Sequence, residues 1–308
     1  QFAVSPQNAY IQFGSDIRGS YYDLNGTGNA AVTGFYPLRL GNPGLKPERS
    51  KTLDIGLSTL ILNRTIRFSL DWFKETNKDL IIYPDLPGTG GEASAPAVNA
   101  AAMTNKGMEF ELSYIKAWGD LKFTGRILVS AYRNSIDKLA FGIPFMEKGA
   151  ISIGNVVRNQ KGQPMSVFYG YKVAGIFGSE NEVVASPLQD GAEPGFLRYE
   201  NIDKSTDWDG NQEINQEDRT VIGDPNPKCT YGIDFSFTFR HFDLSAFIYG
   251  SKGNEIYNNN LWWINFWQSF QGQKSRDLLY DSWTPSNPAA SVPKASNKSK
   301  FSTNTTIN

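Results

Sequence analysis

The sequence predicts an all-β fold, an antiparallel transmembrane β-barrel with long loops at one end. Three observations lead there. Large apolar side chains recur at every second position over long stretches. The connections between those stretches are very short or very long. Each stretch is also longer than an ordinary soluble strand needs.

The alternation comes first. In "SKTLDIGLSTLIL", Leu53, Ile55 and Leu57 alternate with Asp54, Gly56 and Ser58. In "RTIRFSLDWFKET", Ile66, Phe68, Leu70 and Trp72 alternate with Arg67, Ser69 and Asp71. Met108, Phe110, Leu112 and Tyr114 do the same against Glu109, Glu111 and Ser113, as do Leu121, Phe123, Ile127 and Val129 against Lys122, Thr124, Arg126 and Ser130. The longest case is "TYGIDFSFTFRHFDLSAFIYG". Tyr231, Ile233, Phe235, Phe237 and Phe239 lie on one face, and after Arg240-His241 the pattern resumes with Phe242, Leu244, Ala246 and Ile248. Period two is the strand period, and such persistence means two different solvents on the two faces. The charges Asp54, Arg67, Asp71, Glu109, Glu111, Lys122, Arg126, Asp234 and Asp243 all take the non-apolar face. A polar lumen accepts them, whereas Arg or Lys at mid-depth on a lipid face costs about 2–4 kcal/mol.

Connections and lengths come next. Tight turns are predicted near Asn63-Arg64, near Trp118-Gly119 and at Arg240-His241, with Tyr114, Trp118, Phe239 and Phe242 gathered beside them as an interfacial girdle. Between the hairpins the sequence reads as long irregular segments over 78–104, 134–165 and 251–303. Short turns at one end and long loops at the other are the pattern of an outer-membrane barrel. The strands reach the roughly 9–11 residues that cross a bilayer, against about 5–6 for a soluble strand. Alternation alone also describes a soluble sandwich with one wet face, whose strands are shorter and whose turns are closer together.

Composition removes other classes. Lys+Arg number 30 and Asp+Glu 31, giving a net charge of −1 with no basic stripe, so nucleic acid is not an expected partner. Cys229 is the one cysteine and His241 the one histidine. That excludes an intrachain disulfide and leaves almost no His- or Cys-based catalysis. Glu109 and Glu111 stand i and i+2 on one strand face, about 6.6–7 Å apart. Nothing else supports glycosidase chemistry, and lumen charges account for them. No enzymatic activity is expected.

An ordered series of segments then resembles one family. "LRLGNPGLKPERSKTLDIGL" is similar to the strand-entry motif of TonB-dependent receptors, in which Asn-Pro-x-Leu-x-x-Glu precedes a barrel strand. "FSLDWFKETNKDLI" with "NKGMEFELSY", "GQPMSVFYGYKVAGIFGSENEV", the stretch from "YENIDKSTDWDGNQEINQEDRTVIGDPNPKC" to Asn258, and "LYDSWTPSNPAASVP" resemble the SusC/RagA-like branch. The resemblance implies a bacterial outer-membrane active transporter that imports oligosaccharides or peptides, energised through TonB, with a SusD-like surface lipoprotein as lid. Pairing of two transporter–lid units is frequent in the family. Residues 1–308 are then expected to be part of the barrel domain, with 253–303 a long extracellular loop region. The plug, the TonB box, the first strands and the last strands of the family pattern are not matched. The chain carries about six clear membrane strands against the roughly 22 of a plugged transporter barrel. Two readings stand beside this one: a lidless TonB-dependent siderophore or vitamin receptor, and a secreted β-rich binding or adhesion module.

Two segments are candidate sites. "DWDGNQEINQED" has the spacing of a calcium loop, with Asp207, Asp209, Asn211, the Glu213 carbonyl, Asn215 and Asp218 as ligands. Gln212 replaces the usual glycine and Asp218 the usual glutamate. The competing reading is an empty acidic loop held by Asx turns. Calcium is the one cofactor considered, and none is required. "LWWINFWQSF" offers Trp262, Trp263 and Trp267 for contact with the lid or with substrate, against the plainer reading of a short helix burying its own aromatics.

Overall fold

The computed structural model describes residues 5–15, 21–23, 31–84, 93–139, 142–151, 154–204, 206, 210, 212–266 and 272–296. Contacts group the chain into two compact units rather than one. The first holds Gln1–Met146, Asn159–Met165 and Lys228–Lys252; the second holds Glu147–Arg158, Ser166–Pro227 and Gly253–Asn308.

In the first unit, β1 (Gln12–Gly14), β2 (Tyr21–Asp23), β3 (Ala31–Thr33) and β4 (Tyr36–Arg39) form two short pairs, β1 with β4 and β2 with β3. Then come the long strands β5 (Arg49–Ile61), β6 (Ile66–Ile82), β7 (Val98–Trp118) and β8 (Leu121–Lys138). After β9 (Phe145–Ile151), β10 (Gly154–Gln160), β11 (Val167–Tyr171), β12 (Val173–Ile176), β13 (Leu197–Tyr199) and β14 (Arg219–Gly223), the chain forms β15 (Cys229–Phe239) and β16 (Phe242–Lys252). The six long strands make one antiparallel sheet in the order β16-β15-β8-β7-β6-β5.

The register aligns every alternating set predicted from sequence. Leu57 faces Leu70, Leu70 faces Phe110, and Phe110 faces Val129. Val129 faces Tyr231, while one row along Ile127 faces Ile233 and Ile233 faces Ile248. A single-residue slip in any pair would put its apolar set on the charged face. Much of the apolar face is open: Ile55 is 62%, Leu244 62% and Phe242 77% exposed. An apolar surface spanning six strands exceeds what a water-soluble monomer leaves open, and it suits lipid. That removes the soluble sandwich.

Turns sit where expected. Leu62, Asn63 and Arg64 all have positive φ (53°, 55° and 68°), as does Arg240 (54°). Such backbone matches the twist of tight hairpins. Trp118, Leu121, Phe239 and Phe242 face one another in a continuous row at this end of the sheet.

The expected loops need correction. Much of 78–104 is strand, because β6 runs to Ile82 and β7 begins at Val98. Likewise 134–165 holds the end of β8, then β9 and β10. These extensions mix apolar and polar residues on both faces, with Leu80, Ile81 and Ile82 consecutive in β6, so they show no alternation to read.

The second unit has its own small core, where Val167, Phe177, Phe196, Leu197, Tyr199, Trp262 and Trp283 are buried. Strands β9, β10, β11 and β14 form one sheet, and β12 pairs with β13. Helix α1 (Glu180–Ala185) is capped by Ser179, whose Oγ accepts from the Glu182 N–H. Helices α2 (Asn259–Leu261) and α3 (Arg276–Tyr280) follow, with a π turn over Trp262–Phe266. So 253–303, expected as a loop, contains short helices and anchored tryptophans. The Gln189 side chain joins two segments, donating to the Leu197 carbonyl (2.7 Å) and accepting from the Tyr199 N–H (3.0 Å). Gly195 has φ +91°, and a Cβ there would stand 2.4 Å from Trp283 Cε3. Only glycine fits that position.

Candidate functional site

The polar face of the six-stranded sheet is the wall of the lumen. Asp71 faces Glu109 directly, and Glu111 lies opposite Ser69. Like charges directly opposite destabilise a strand pair. Here serines share the load: Ser69 Oγ donates to Asp71 (2.9 Å) and contacts Ser58 Oγ (2.9 Å), and Ser113 Oγ donates to Glu111 (3.0 Å). Gly56 lies opposite Asp71, and a Cβ at Gly56 would meet Asp71 Oδ1 at 2.0 Å. The glycine leaves room for the carboxylate. Further round the wall Arg126 faces Asp234 at 3.6 Å, each side chain 45% exposed. Such a pair is worth under about 1 kcal/mol. The wall is therefore wet, hydrogen-bonding and acidic at β6–β7.

Aromatics also reach this face, and sequence reading missed them. Phe247 (64% exposed) faces Asp234, and Tyr249 (66% exposed) faces Gly232. They fall between lipid-facing Ala246, Ile248 and Gly250, so "AFIYG" looks like one apolar run. The signal was their parity relative to Phe242 and Leu244.

The calcium-loop candidates are placed only in part. Asp207, Asp209 and Asn211 lie outside the described residues. Asp218 is fully buried and closes a capping box, its carboxylate accepting from the Ile202, Asp203 (3.3 Å) and Asn215 (2.9 Å) N–H groups. The Glu213 carbonyl accepts from Asn201 Nδ2 (3.1 Å), and Asn215 Oδ1 accepts from the Glu217 N–H (2.7 Å). All three described candidates thus bond to the protein itself. Among the described residues no group of three His, Cys, Asp or Glu converges on a common point.

Of the tryptophans, Trp262 is 2% exposed and meets Trp263 edge-on, ring centroids 4.8 Å apart. It pins the segment rather than presenting a surface. Trp263 is part-exposed, and Trp267 lies outside the described residues.

The second unit also holds a charged knot. Arg158 donates to Glu147 through Nε (3.1 Å) and Nη2 (2.6 Å), and its guanidinium lies 3.3 Å over the Tyr169 ring. Arg219 shares Glu147 at 3.4 Å. Nearby, burial pushes the Tyr171 hydroxyl above the ordinary tyrosine value, with Arg219 opposing and Asp218 adding to the rise. Tyr199 is pushed up further, by burial first and by Tyr171 second. In contrast, Ser291 hydrogen bonds hold the exposed Asp281 carboxyl below its usual range.

The family model described as "TonB dependent receptor-like, beta-barrel" matches residues 3–217. Two TonB-dependent receptors of Formosa agariphila are similar. P3 is 28% identical over 97% of this chain and 28% of its own length, and P26 is 28% identical over 85% and 26%. The chain thus spans about a quarter of the curated relatives it matches. Among solved structures, the RagAB peptide transporter matches with a TM-score of 0.74 at 21% identity, covering 94% of this chain and 29% of that one. The RagAB peptide importer in its 'open-open' state matches with a TM-score of 0.72 at 19% identity over 97% of this chain and 30% of that one. At these identities the structural likeness speaks for the fold.

Proposed function

Because the chain belongs to the TonB-dependent receptor β-barrel family, whose barrels lie in the outer membrane, we propose that it forms part of the wall of a TonB-driven importer of oligosaccharides or peptides. In this reading a SusD-like lipoprotein caps the barrel on the outside, and two such pairs associate. The tight turns of the six-stranded sheet face the periplasm in this reading, following the usual asymmetry of outer-membrane barrels. The observation that carries the proposal is the family match over residues 3–217, and the likeness in fold over 94% of the chain to a structure described as a peptide transporter supports it.

The wall supplies hydrogen bonds and charge rather than chemistry. Asp71, Glu109 and Glu111 repel anionic cargo and accept from hydroxyl or ammonium groups. Phe247 and Tyr249 offer faces on which sugar rings or apolar side chains stack. Transport needs weak, distributed contacts of this kind, since tight capture would stall release. We read the chain as transporting cargo unchanged.

Uptake by the native host tests the proposal. Deleting the gene should abolish energised uptake of one class of labelled oligosaccharide or peptide, and loss of TonB should do the same. Uptake that survives both deletions would remove the proposal.

A further inference from the structure

We infer that the lipid-facing side of the sheet carries a binding site for the phosphate groups of an outer-leaflet lipid. The register supplies the first observation. Lys74 faces Lys106, and Lys106 faces Arg133, so three cations stand side by side on adjacent strands. They have the parity of Trp72, Met108 and Ala131 and therefore point to the lipid side. Directly opposed like charges destabilise a sheet unless an anion lies among them.

Among the described residues no anion does so. Among the described residues the side chains of Lys74, Lys106, Arg133 and Lys228 form no ion pair or hydrogen bond with a carboxylate. Further out on β8, Asp137 accepts instead from Thr104 Oγ1 at 2.6 Å.

Height is the second observation. Lys106 stands twelve residues from Trp118 along β7. At about 3.4 Å per residue and a tilt of about 40°, the cations lie about 31 Å from the aromatic row. A hydrocarbon core is about 30 Å thick, so they reach the opposite headgroup layer.

Shape is the third. A shallow depression of about 250 Å³ is lined by Trp72, Met108 and Ala131 on its apolar side and by Lys106, Arg133 and Lys228 on its charged side, with Gly107 and Tyr132 completing the lining and Lys74 outside it. An acyl chain fits the first and a phosphate the second. A lipid satisfies both, whereas a free anion would use the cations alone.

This inference rests on the outer-membrane reading, which makes the headgroup layer beyond the long-loop end the outer leaflet. The test uses the full-length protein extracted from the outer membrane in mild detergent. Native mass spectrometry would follow binding of a diphosphorylated lipid A and of the same lipid after phosphatase treatment. The phosphorylated form should bind preferentially. K74Q/K106Q/R133Q should lower its affinity about 100-fold, taking roughly a tenfold loss for every one to two cations at a membrane surface. K74R/K106R should keep the preference, which separates lost charge from lost folding. Equal binding of both lipids, or a preference that survives the triple glutamine variant, would overturn the inference. Full displacement by inorganic phosphate would do so too, as it would mark a free-anion site. If the triple variant does not fold, K106Q alone decides by the same readout. Failure to recover the protein in the outer membrane would instead count against the transporter reading.

Discussion

Ile127 and Leu128 are adjacent and both apolar, yet the sheet places them on opposite faces. Ile127 faces Leu112 and Ile233, and Leu128 faces Glu111 and Gly232. Ile127 stands six residues from Leu121 in the turn-side aromatic row and six from Arg133 in the cationic row, which puts it at mid-depth. Ile127→Arg should therefore cost about 2–4 kcal/mol, the price of Arg at the bilayer midplane. Leu128→Arg puts the same side chain into the lumen opposite Glu111. It forfeits a half-buried leucine, roughly 1 kcal/mol, and gains an ion-pair partner. In equilibrium terms, Ile127→Arg should lower the folded-to-unfolded ratio about 30- to 1,000-fold, and Leu128→Arg by less than about tenfold. Reversible denaturant unfolding of the full-length protein in lipid vesicles, followed by tryptophan fluorescence, measures both. If Leu128→Arg costs as much as Ile127→Arg, the assignment of faces is wrong.

Other expectations concern the second unit. Asp218→Ala leaves three backbone donors without their acceptor and should destabilise this unit by about 3 kcal/mol or more, read as faster amide hydrogen exchange over 197–219; an unchanged exchange rate would remove its structural role. Trp262→Ala should cost about 3–5 kcal/mol of local stability, read by limited proteolysis in 253–296, with Trp263→Ala milder. Since the folded state raises the Tyr171 and Tyr199 hydroxyls above the ordinary tyrosine value, their contribution is complete below about pH 10 and is lost as pH climbs beyond it. Tyrosinate absorbance should show Tyr199 ionising only as the unit opens and Tyr171 ionising above the ordinary tyrosine range. Calcium at 207–218 would have to displace protein donors from Asp218 and from the Glu213 carbonyl, so chelation should leave exchange in this segment unchanged; a large chelator effect would establish a bound ion.

How much of this was legible depended on whether a residue's neighbours in sequence were also its neighbours in solvent. Within the bilayer they are, so Phe235, Ser236 and Phe237 show their faces by parity, and the turns at Asn63, Gly119 and Arg240 follow from where the parity resets. Beyond the bilayer both faces of a strand meet water or protein. Val98–Met103 of β7 carries no alternation, so its sequence predicts a loop where the strand runs. Phe247 and Tyr249 failed for another reason: aromatic side chains suit lipid and a stacking lumen equally, so type alone misleads. Asp218 looked like a metal ligand because carboxylates that bind calcium and carboxylates that cap backbone N–H groups occupy the same kinds of turn. Its complete burial separates the two, and burial arises from Ile202 and Asp203, which precede it by some fifteen residues.

Outer-membrane fractionation of the native host, followed by a mild-detergent pull-down on this protein, tests the central claim most directly. The account predicts recovery in the outer membrane as a chain several times longer than 308 residues, with a surface lipoprotein attached. A soluble protein that needs no detergent and brings down no lipoprotein would contradict it.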